Sequence, residues 1–404
     1  MTTQTAHQVC SQRDPASFLF YPLEFEQNVR SIAWRYIQDI QSGEKTKKDY
    51  SLSVCIKLFK VMTNIVKQVA GIDVAQNELV VSIGRMDQSI EADIYSCKTF
   101  ANKPSGFAAM LVWVKKHTDN QLAVRYVMEA TGVYHEKLAY YLADLGIEVS
   151  IVLPNKISNY FRTLEIKTIT DKTASQAICR FGLERKLELW KKPKKIFRSL
   201  KQLTRERDQL IAERTMIKNQ LHAEQAEAQP GEYSIKRMNE RIKLINKQSA
   251  EILLEIAGHI KQDIELVKQI NNILSIPGVG KITAVTVLAE TNGFDLIRNK
   301  KQLVSYSGLD IIVKDSGTSV KGKPKISKKG NRHLRKAMHM PALTAIRNDQ
   351  RCKAIFVRLV SKHSIKMKAV VAVQRKLLEM IYTIWKTNRP YDKEYLQKAN
   401  TITA

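Results

Sequence analysis

Val69-Ala-Gly-Ile-Asp73-Val-Ala-Gln-Asn-Glu78-Leu-Val-Val-Ser-Ile83 sets two apolar runs on either side of a polar Ala-Gln-Asn turn, with a carboxylate inside the first run. Aliphatic and β-branched residues bounded by turn residues read as strands, so residues 69–74 and 78–83 are predicted as a hairpin at the start of a sheet. An unpaired charge in an apolar strand costs several kcal/mol. Asp73 therefore points to metal binding or catalysis rather than to stability.

Downstream, the pattern stays mixed. A helical stretch at 106–116 precedes the strand Leu122-Ala-Val-Arg-Tyr-Val-Met128, an amphipathic helix spans Tyr134 to Leu145, and Glu148-Val-Ser-Ile-Val-Leu153 is a buried-type strand ended by Pro154. Strands alternating with helices predict a helix-covered sheet. From 196 to about 270 the period changes: Leu203, Leu210 and Ile217 recur every seven residues, and beyond Gln229-Pro-Gly231 the residues Ile235, Met238, Ile242, Ile245, Ser249, Ile252 and Ile256 step by three and four. This is a helical hairpin with coiled-coil periodicity. Arg207 and Arg214 sit at seam positions of its first arm, which a partner helix, another subunit or a nucleic-acid backbone would each cover. Residues 337–389 are helical, with Val370, Val371, Leu377, Leu378, Ile381 and Trp385 at core spacing. The division that follows is an extension at 1–61, an α/β domain at 62–190, the hairpin at 191–270, a mostly helical domain at 271–390 and a tail at 391–404. Residues 1–61 are aromatic-rich around Phe18 to Tyr21 and then polar; a small helical extension and a start at Met62 are equal readings of them.

The 404 residues hold 66 Lys and Arg against 39 Asp and Glu, a formal net charge of +27. Such an excess favours a polyanion, because cations that neutralise phosphates release condensed counterions. Nucleic acid is the default partner. No apolar run approaches the roughly 20 residues that span a bilayer, and no signal peptide is visible, so no membrane partner is expected. The cysteines, Cys10, Cys55, Cys97, Cys179 and Cys352, are scattered and odd in number. They fit a reducing cytoplasm and imply neither disulfides nor structural zinc.

Two further acids join Asp73. Glu129 ends the next apolar strand just before Ala130-Thr131-Gly132, and strand ends of an α/β sheet are where ligands sit. Two acids on neighbouring strand ends can converge on one divalent ion. Asp171 opens a helix carrying Ala177, Ile178 and Phe181; the plainer reading makes it a complement to the helix dipole, with Thr173 and Gln176 forming a capping box.

The second half has its own signals. Leu274-Ser-Ile-Pro-Gly278-Val-Gly280-Lys281 has the form of a helix-hairpin-helix turn, whose glycines let backbone N–H groups meet a phosphate. A generic glycine turn is the plainer alternative, and Lys281 with the overall charge favours DNA. Beyond Val304-Ser-Tyr-Ser-Gly-Leu309, the Asp315-Ser316-Gly317 turn opens a loop bearing Lys321, Lys323, Lys325, Lys328, Lys329, Arg332 and Arg335. These cations suit charge on a scissile phosphate, or simply a solvated basic loop. A serine hydroxyl is a weak nucleophile that needs a base, metal or field, and no His adjoins Ser316, His333 being the nearest in sequence. A Ser/His/Asp triad is not supported.

Gly71-Ile-Asp73-Val, Met128-Glu129-Ala-Thr-Gly132-Val-Tyr and Thr170-Asp171-Lys, in that order, resemble the RuvC-like half of the DEDD transposases, insertion-sequence recombinases related to the Piv DNA invertases. The Pro-Gly-Val-Gly turn, the Ser316-Gly317 pair and Ile326-Ser-Lys-Lys-Gly-Asn331 with Leu334-Arg335 resemble its second half. The likeness runs from about Met62 to about residue 390. It implies an α/β plus α architecture: an RNase H/RuvC-like domain, the coiled-coil hairpin, and a mostly helical domain with a helix-hairpin-helix-like motif. It implies Mg²⁺ on Asp73, Glu129 and Asp171, a hard cation that takes oxygen ligands, and Ser316 as the nucleophile joined covalently to DNA. Ser305, Ser307, Ser319 and Ser327 are the less favoured candidates. The family's fourth acid falls on Ala174, where this chain departs; three acids suffice, another ligand serves, or metal binding is weakened. The resemblance also implies element-end and target DNA as substrates, a structured noncoding RNA that guides site choice, and a homo-oligomer. A metal-dependent junction nuclease, with Ser316 only a phosphate contact, and a non-catalytic DNA-binding scaffold are the competing readings.

Overall fold

β1 (Ile65–Val74) is the middle strand of a five-stranded sheet of order β3-β2-β1-β4-β5. In the computed structural model, the described residues are 65–392 apart from 131, 165, 167, 169, 296, 314, 318 and 319. The extension 1–61 with Cys10 and Cys55, Met62, Ser319 and the tail beyond 392 lie outside them. The chain divides into two units, Met1–Lys192 and Pro193–Ala404.

In the first unit, β2 (Glu78–Asp87) runs antiparallel to β1 and pairs Val80 with Asp73, and β3 (Ala92–Ala101) runs antiparallel to β2. β4 (Val124–Glu129) lies parallel to β1, and β5 (Val149–Val152) parallel to β4. The predicted hairpin is present, but it stands at the sheet's centre, because β4 adds to the free side of β1. One face buries Ala70, Ile72, Leu79, Val81 and Met128 with Phe107 and Met110 of α1 (Pro104–His117) and Leu138 and Leu142 of α2 (Glu136–Asp144). The other face buries Val69 and Val127 against Ile157 of α3 (Pro154–Phe161) and Ile178, Cys179 and Leu183 of α4 (Asp171–Glu184). Successive strand side chains alternate between faces, which puts Gly71 and Asp73 on the α4 face with Val69.

Backbone seats α4 on the sheet. A Cβ added at Gly71 would lie 2.2 Å from the Cys179 nitrogen, and one at Gly182 would lie 2.8 Å from the Val69 side chain. Ser82 Oγ and Ser175 Oγ share a buried 2.7 Å hydrogen bond, and the Cys179 thiol donates to the Val69 carbonyl at 3.4 Å. Burial pushes that thiol up to about 12, so it stays protonated and able to donate.

In the second unit, α5 (Lys195–Gln225) and α6 (Glu232–Lys261) form an antiparallel hairpin, with Leu203, Ile217, Ile245, Ser249, Ile252 and Ile256 buried. Arg214 donates across it to Asn246 at 2.8 Å. The hairpin base, through Phe197, Leu200 and Leu203, shares one apolar cluster with the helices that follow. These are α7 (Ile264–Leu274), α8 (Lys281–Glu290), α9 (Lys300–Ser307), α10 (Arg332–Ala337), α11 (His339–Asn348), α12 (Gln350–His363) and α13 (Lys366–Thr387). Between α9 and α10, β6 (Ile311–Ile312) pairs with β9 (Lys325–Ile326), and β7 (Asp315–Ser316) with β8 (Val320–Lys321). No helix of the described residues is long and apolar enough to cross a membrane.

Gly71→Ala is expected to lower unfolding stability by about 1–3 kcal/mol, the range for overpacking, because its methyl meets backbone rather than a flexible tip. Gly258→Ala in α6, where an added Cβ meets nothing within 4 Å, should instead stabilise by up to about 1 kcal/mol. Urea unfolding of the two variants checks both signs.

Candidate functional site

The ends of β1 and β4 are adjacent. Ile72 registers with Met128 in the parallel pair, so Asp73 and Glu129 occupy the next positions of neighbouring strands. Glu129 falls on the same face as Val127, which is the α4 face. Asp171 is the first residue of α4, and Thr170 caps that helix by accepting from the Thr173 N–H at 3.2 Å while Thr173 Oγ1 accepts from the Thr170 N–H at 2.8 Å. The capping box is thus Thr170 with Thr173, not Thr173 with Gln176: the helix starts three residues earlier than that pairing requires. Burial pushes the Asp73 carboxyl up, and the charges of Asp171 and Glu129 push it further, to about 6, against a hydrogen bond from the Val74 N–H. The three sequence-predicted acids therefore share one electrostatic environment.

Beside them opens a cleft of about 480 Å³, floored by Glu78, Val80, Cys97 and Thr99 and walled by Thr170, Asp171 and Lys172. Val80 registers with both Asp73 and Thr99, so the cleft runs across the sheet from the acids to the edge strand β3. β3 buries only Phe100 and half-buries five of its other residues, and its sequence Ala-Asp-Ile-Tyr-Ser-Cys-Lys-Thr-Phe-Ala has no sustained apolar–polar alternation to announce it. Its contribution to the site is invisible in the sequence for that reason.

The donor set suits a hard divalent cation in kind, since all three groups are carboxylates and their mutual repulsion is relieved by positive charge. As arranged, no group of three or more His, Cys, Asp or Glu among the described residues is close enough to hold an ion. Helix geometry accounts for this. Asp171 lies eight residues from Cys179, roughly 12 Å along the axis, whereas Asp73 lies two residues from Gly71, roughly 7 Å along the strand. Ala174 and Ser175 lie between these two points of α4, with Ser175 over Ser82, the partner of Gly71 in the β1–β2 register. Ser175 is fully buried on Ser82, and Ala174 contributes no oxygen.

Ser316 is exposed on the β7–β8 ribbon, next to Gly317 at φ +57°. The ribbon grows from a clamped base. Ser327 N–H donates to the Asp310 carbonyl at 2.8 Å, Lys328 N–H to the Gly308 carbonyl at 3.1 Å, and Asn331 N–H to the Tyr306 carbonyl at 2.7 Å. A Cβ on Gly330 would come within 2.5 Å of the Tyr306 carbonyl oxygen, so only glycine fits there. Arg335 donates to the Ser307 and Gly330 carbonyls at 2.8 and 3.2 Å, which commits it to the clamp. Lys323, Lys325, Lys328, Lys329 and Arg332 are exposed; the side chain of Lys321 lies outside the described residues.

Glu290, at the end of α8, is a buried carboxylate that the sequence does not single out. Arg205 of α5 grips it with Nε at 2.6 Å and Nη2 at 2.9 Å, and Asn331 Nδ2 donates to it at 2.6 Å. Burial raises its pKa, but the hydrogen bonds from Arg205 and Asn331 and the charges of Arg205 and Lys201 outweigh that and hold it below the usual range. The Asn331 carbonyl oxygen of the side chain meanwhile accepts from the His333 and Leu334 N–H groups, capping α10. His333 faces Asp208 at 3.9 Å. In the Pro277-Gly278-Val279-Gly280 turn, Gly278 (φ +88°) presses on α11, where a Cβ would lie 2.7 Å from the Pro341 oxygen. Gly280 is open and starts α8 without a side-chain cap, with Lys281 exposed beside it. Of the predicted phosphate contacts in this turn, Gly278 is packed inside while Gly280 and Lys281 face outward.

Residues 270–356 match the model of the IS116/IS110/IS902 transposase family, and residues 70–226 match the DEDD transposase model of the IS110 type. The chain is 30% identical over 333 residues to the pilin gene-inverting protein of Moraxella bovis, covering 81% of this chain and 98% of that one. It is 26% identical over 118 residues, 29% of each chain, to an uncharacterized 43.6 kDa protein of insertion element IS110 from Streptomyces coelicolor. T. thermophilus RuvC in complex with a Holliday junction substrate aligns at 10% identity and TM-score 0.24, covering 30% of this chain and 99% of that one.

The Asp73 shift fixes a pH dependence. Its folded-state value near 6 lies above the ordinary 3.8, so its contribution to stability is complete below the lower value and is lost as pH rises through the upper one. In chelator at pH 7.5, Asp73→Asn should unfold at a higher temperature than the native chain, with the difference gone by about pH 4. Added divalent cation should reverse the order by stabilising only the native chain. A variant no more stable at pH 7.5 would show that the carboxylate carries no such repulsion.

Proposed function

We infer the reaction from a plain premise: this chain belongs to the IS116/IS110/IS902 family of transposases, and it is a DNA recombinase. The finer reading is that it cuts and rejoins the ends of an insertion element and a target through a serine-linked intermediate. One observation carries the acid half of this reading: Asp73, Glu129 and Asp171 come from two strands and a helix to one place, where burial first and then the charges of Asp171 and Glu129 raise Asp73 to about 6. The sheet order, with three antiparallel strands followed by two parallel ones, supports an RNase H/RuvC-like assignment for the first unit.

In this reading Asp73, Glu129 and Asp171 hold a divalent cation, with Mg²⁺ the assignment, and that ion supplies Lewis-acid polarisation of a phosphate oxygen. Ser316 displaces a deoxyribose oxygen from phosphorus, so the phosphodiester is conserved as a serine–phosphate bond that a second sugar hydroxyl later reverses. Its exposure on a narrow ribbon lets it reach a phosphate without moving the clamped base. Lys323, Lys325, Lys328, Lys329 and Arg332, with Lys321 by sequence, neutralise the phosphate's charge. Gly280 and Lys281 hold DNA backbone in sequence-independent fashion. A structured guide RNA and a homo-oligomer joined through a coiled coil of the α5–α6 hairpin complete the proposal.

Protein incubated with divalent cation, element-end DNA and the flanking transcript should give a species that migrates as protein–DNA adduct on a denaturing gel. Ser316→Ala and Asp73→Ala should each abolish it. Ala174→Asp should lower the cation concentration needed for half-maximal adduct, by restoring a carboxylate at the position of the family's fourth acid. Cleaved DNA with no adduct in the native chain would sink the serine assignment in favour of a nuclease.

A further inference from the structure

Beyond residue 356, where the family match ends, α12 and α13 meet at a corner in which residues 361–368 are all exposed. Between 347 and 368 there are seven Lys and Arg against a single acid, Asp349. That acid is occupied: it caps α12 by accepting from the Cys352 N–H at 3.1 Å and takes the Tyr391 hydroxyl at 3.1 Å. Arg358 and Lys362, four residues apart, share one face of α12. Lys366 and Lys368 sit in the first turn of α13, which carries no acidic residue. The positive end of a helix dipole disfavours cations there, and like charges one turn apart repel. Among the described residues, none of these four side chains has a carboxylate within ion-pair distance. Ile365 and Met367, 45% and 58% exposed, project from the same corner.

We propose that this corner is a second DNA-contacting surface, in which Arg358, Lys362, Lys366 and Lys368 neutralise backbone phosphates of duplex DNA. It rests on the reading above that DNA is the substrate. Lys366 and Lys368 are placed at a cost to α13 that a polyanion removes, and Arg358 and Lys362, toward the C-terminal end of α12 where the dipole favours cations, add their charge to the same corner. Two exposed apolar side chains are too little hydrocarbon to anchor an amphipathic helix in a bilayer, so a lipid surface fits less well. The corner carries no acid or nucleophile, so its part is grip and orientation.

The test uses the full chain and the variant R358Q/K362Q/K366Q/K368Q, with circular dichroism to confirm the fold. Binding of a labelled duplex by anisotropy over a range of KCl gives the slope of log affinity against log salt. That slope should become shallower by about 0.9 for each phosphate no longer neutralised, roughly three to four for the set. The charge-preserving K362R/K366R/K368R variant should keep the native slope. An unchanged slope would overturn the proposal, and so would weakening confined to structured RNA or to anionic vesicles with duplex binding intact. This surface is read by the salt slope of binding and the serine chemistry by adduct formation, so the two stand or fall separately.

Discussion

Everything in the first unit depends on α4 lying with its backbone against the backbone of β1. Where Gly71 meets Cys179 no side chain intervenes, and one turn later Gly182 leaves room for the Val69 and Val127 side chains. Close approach places the start of α4 over the strand ends that carry Asp73 and Glu129. The Ser82–Ser175 hydrogen bond and the Cys179 thiol on Val69 then fix the helix against sliding. Three acids from separate segments share one field because these small residues allow it.

The second unit answers the same problem with a buried ion pair. Glu290 joins a long helix through Arg205 to a loop through Asn331, while Tyr306 donates to its backbone carbonyl at 3.0 Å. A buried carboxylate without those partners would be strongly unfavourable, so the arrangement holds only when α5, α8, α9 and the Ile326 to Asn331 segment are all in place. Gly330, Asn331 and Arg335, which fall in the segment that resembles the family's second half, are the parts that assemble this joint. The exposed cations around them remain for the ligand.

Much of this is legible in the sequence. Asp73 stands out because an apolar strand makes a lone carboxylate conspicuous, and Glu129 because it ends the next such strand. The hairpin seam is readable from its three-and-four spacing, and Leu203, Ile217, Ile252 and Ile256 are buried in it. Edge strand β3 is not readable, since its apolar residues Ile94, Tyr95 and Phe100 do not alternate with polar ones. Pro154 marks the end of a strand and is also the first residue of α3, where a missing N–H is tolerated. Glu290 and Arg205 are 85 residues apart, and each alone is an ordinary charge on a helix. Nothing in one sequence couples them.

The clamp beneath Ser316 closes the chain on itself at Asp310 and Ser327, through a backbone bond of 2.8 Å and a bond between their side chains. Whatever lies between those two residues is therefore held at its ends by groups that do not belong to it, and the entropy of closing a segment grows only slowly with its length. Residues 312–325 can thus lengthen, shorten or change composition while the helical core, against which Ile326 packs, keeps its packing. The reactive ribbon behaves as an interchangeable cassette, free to diversify on a scaffold that has no need to change with it.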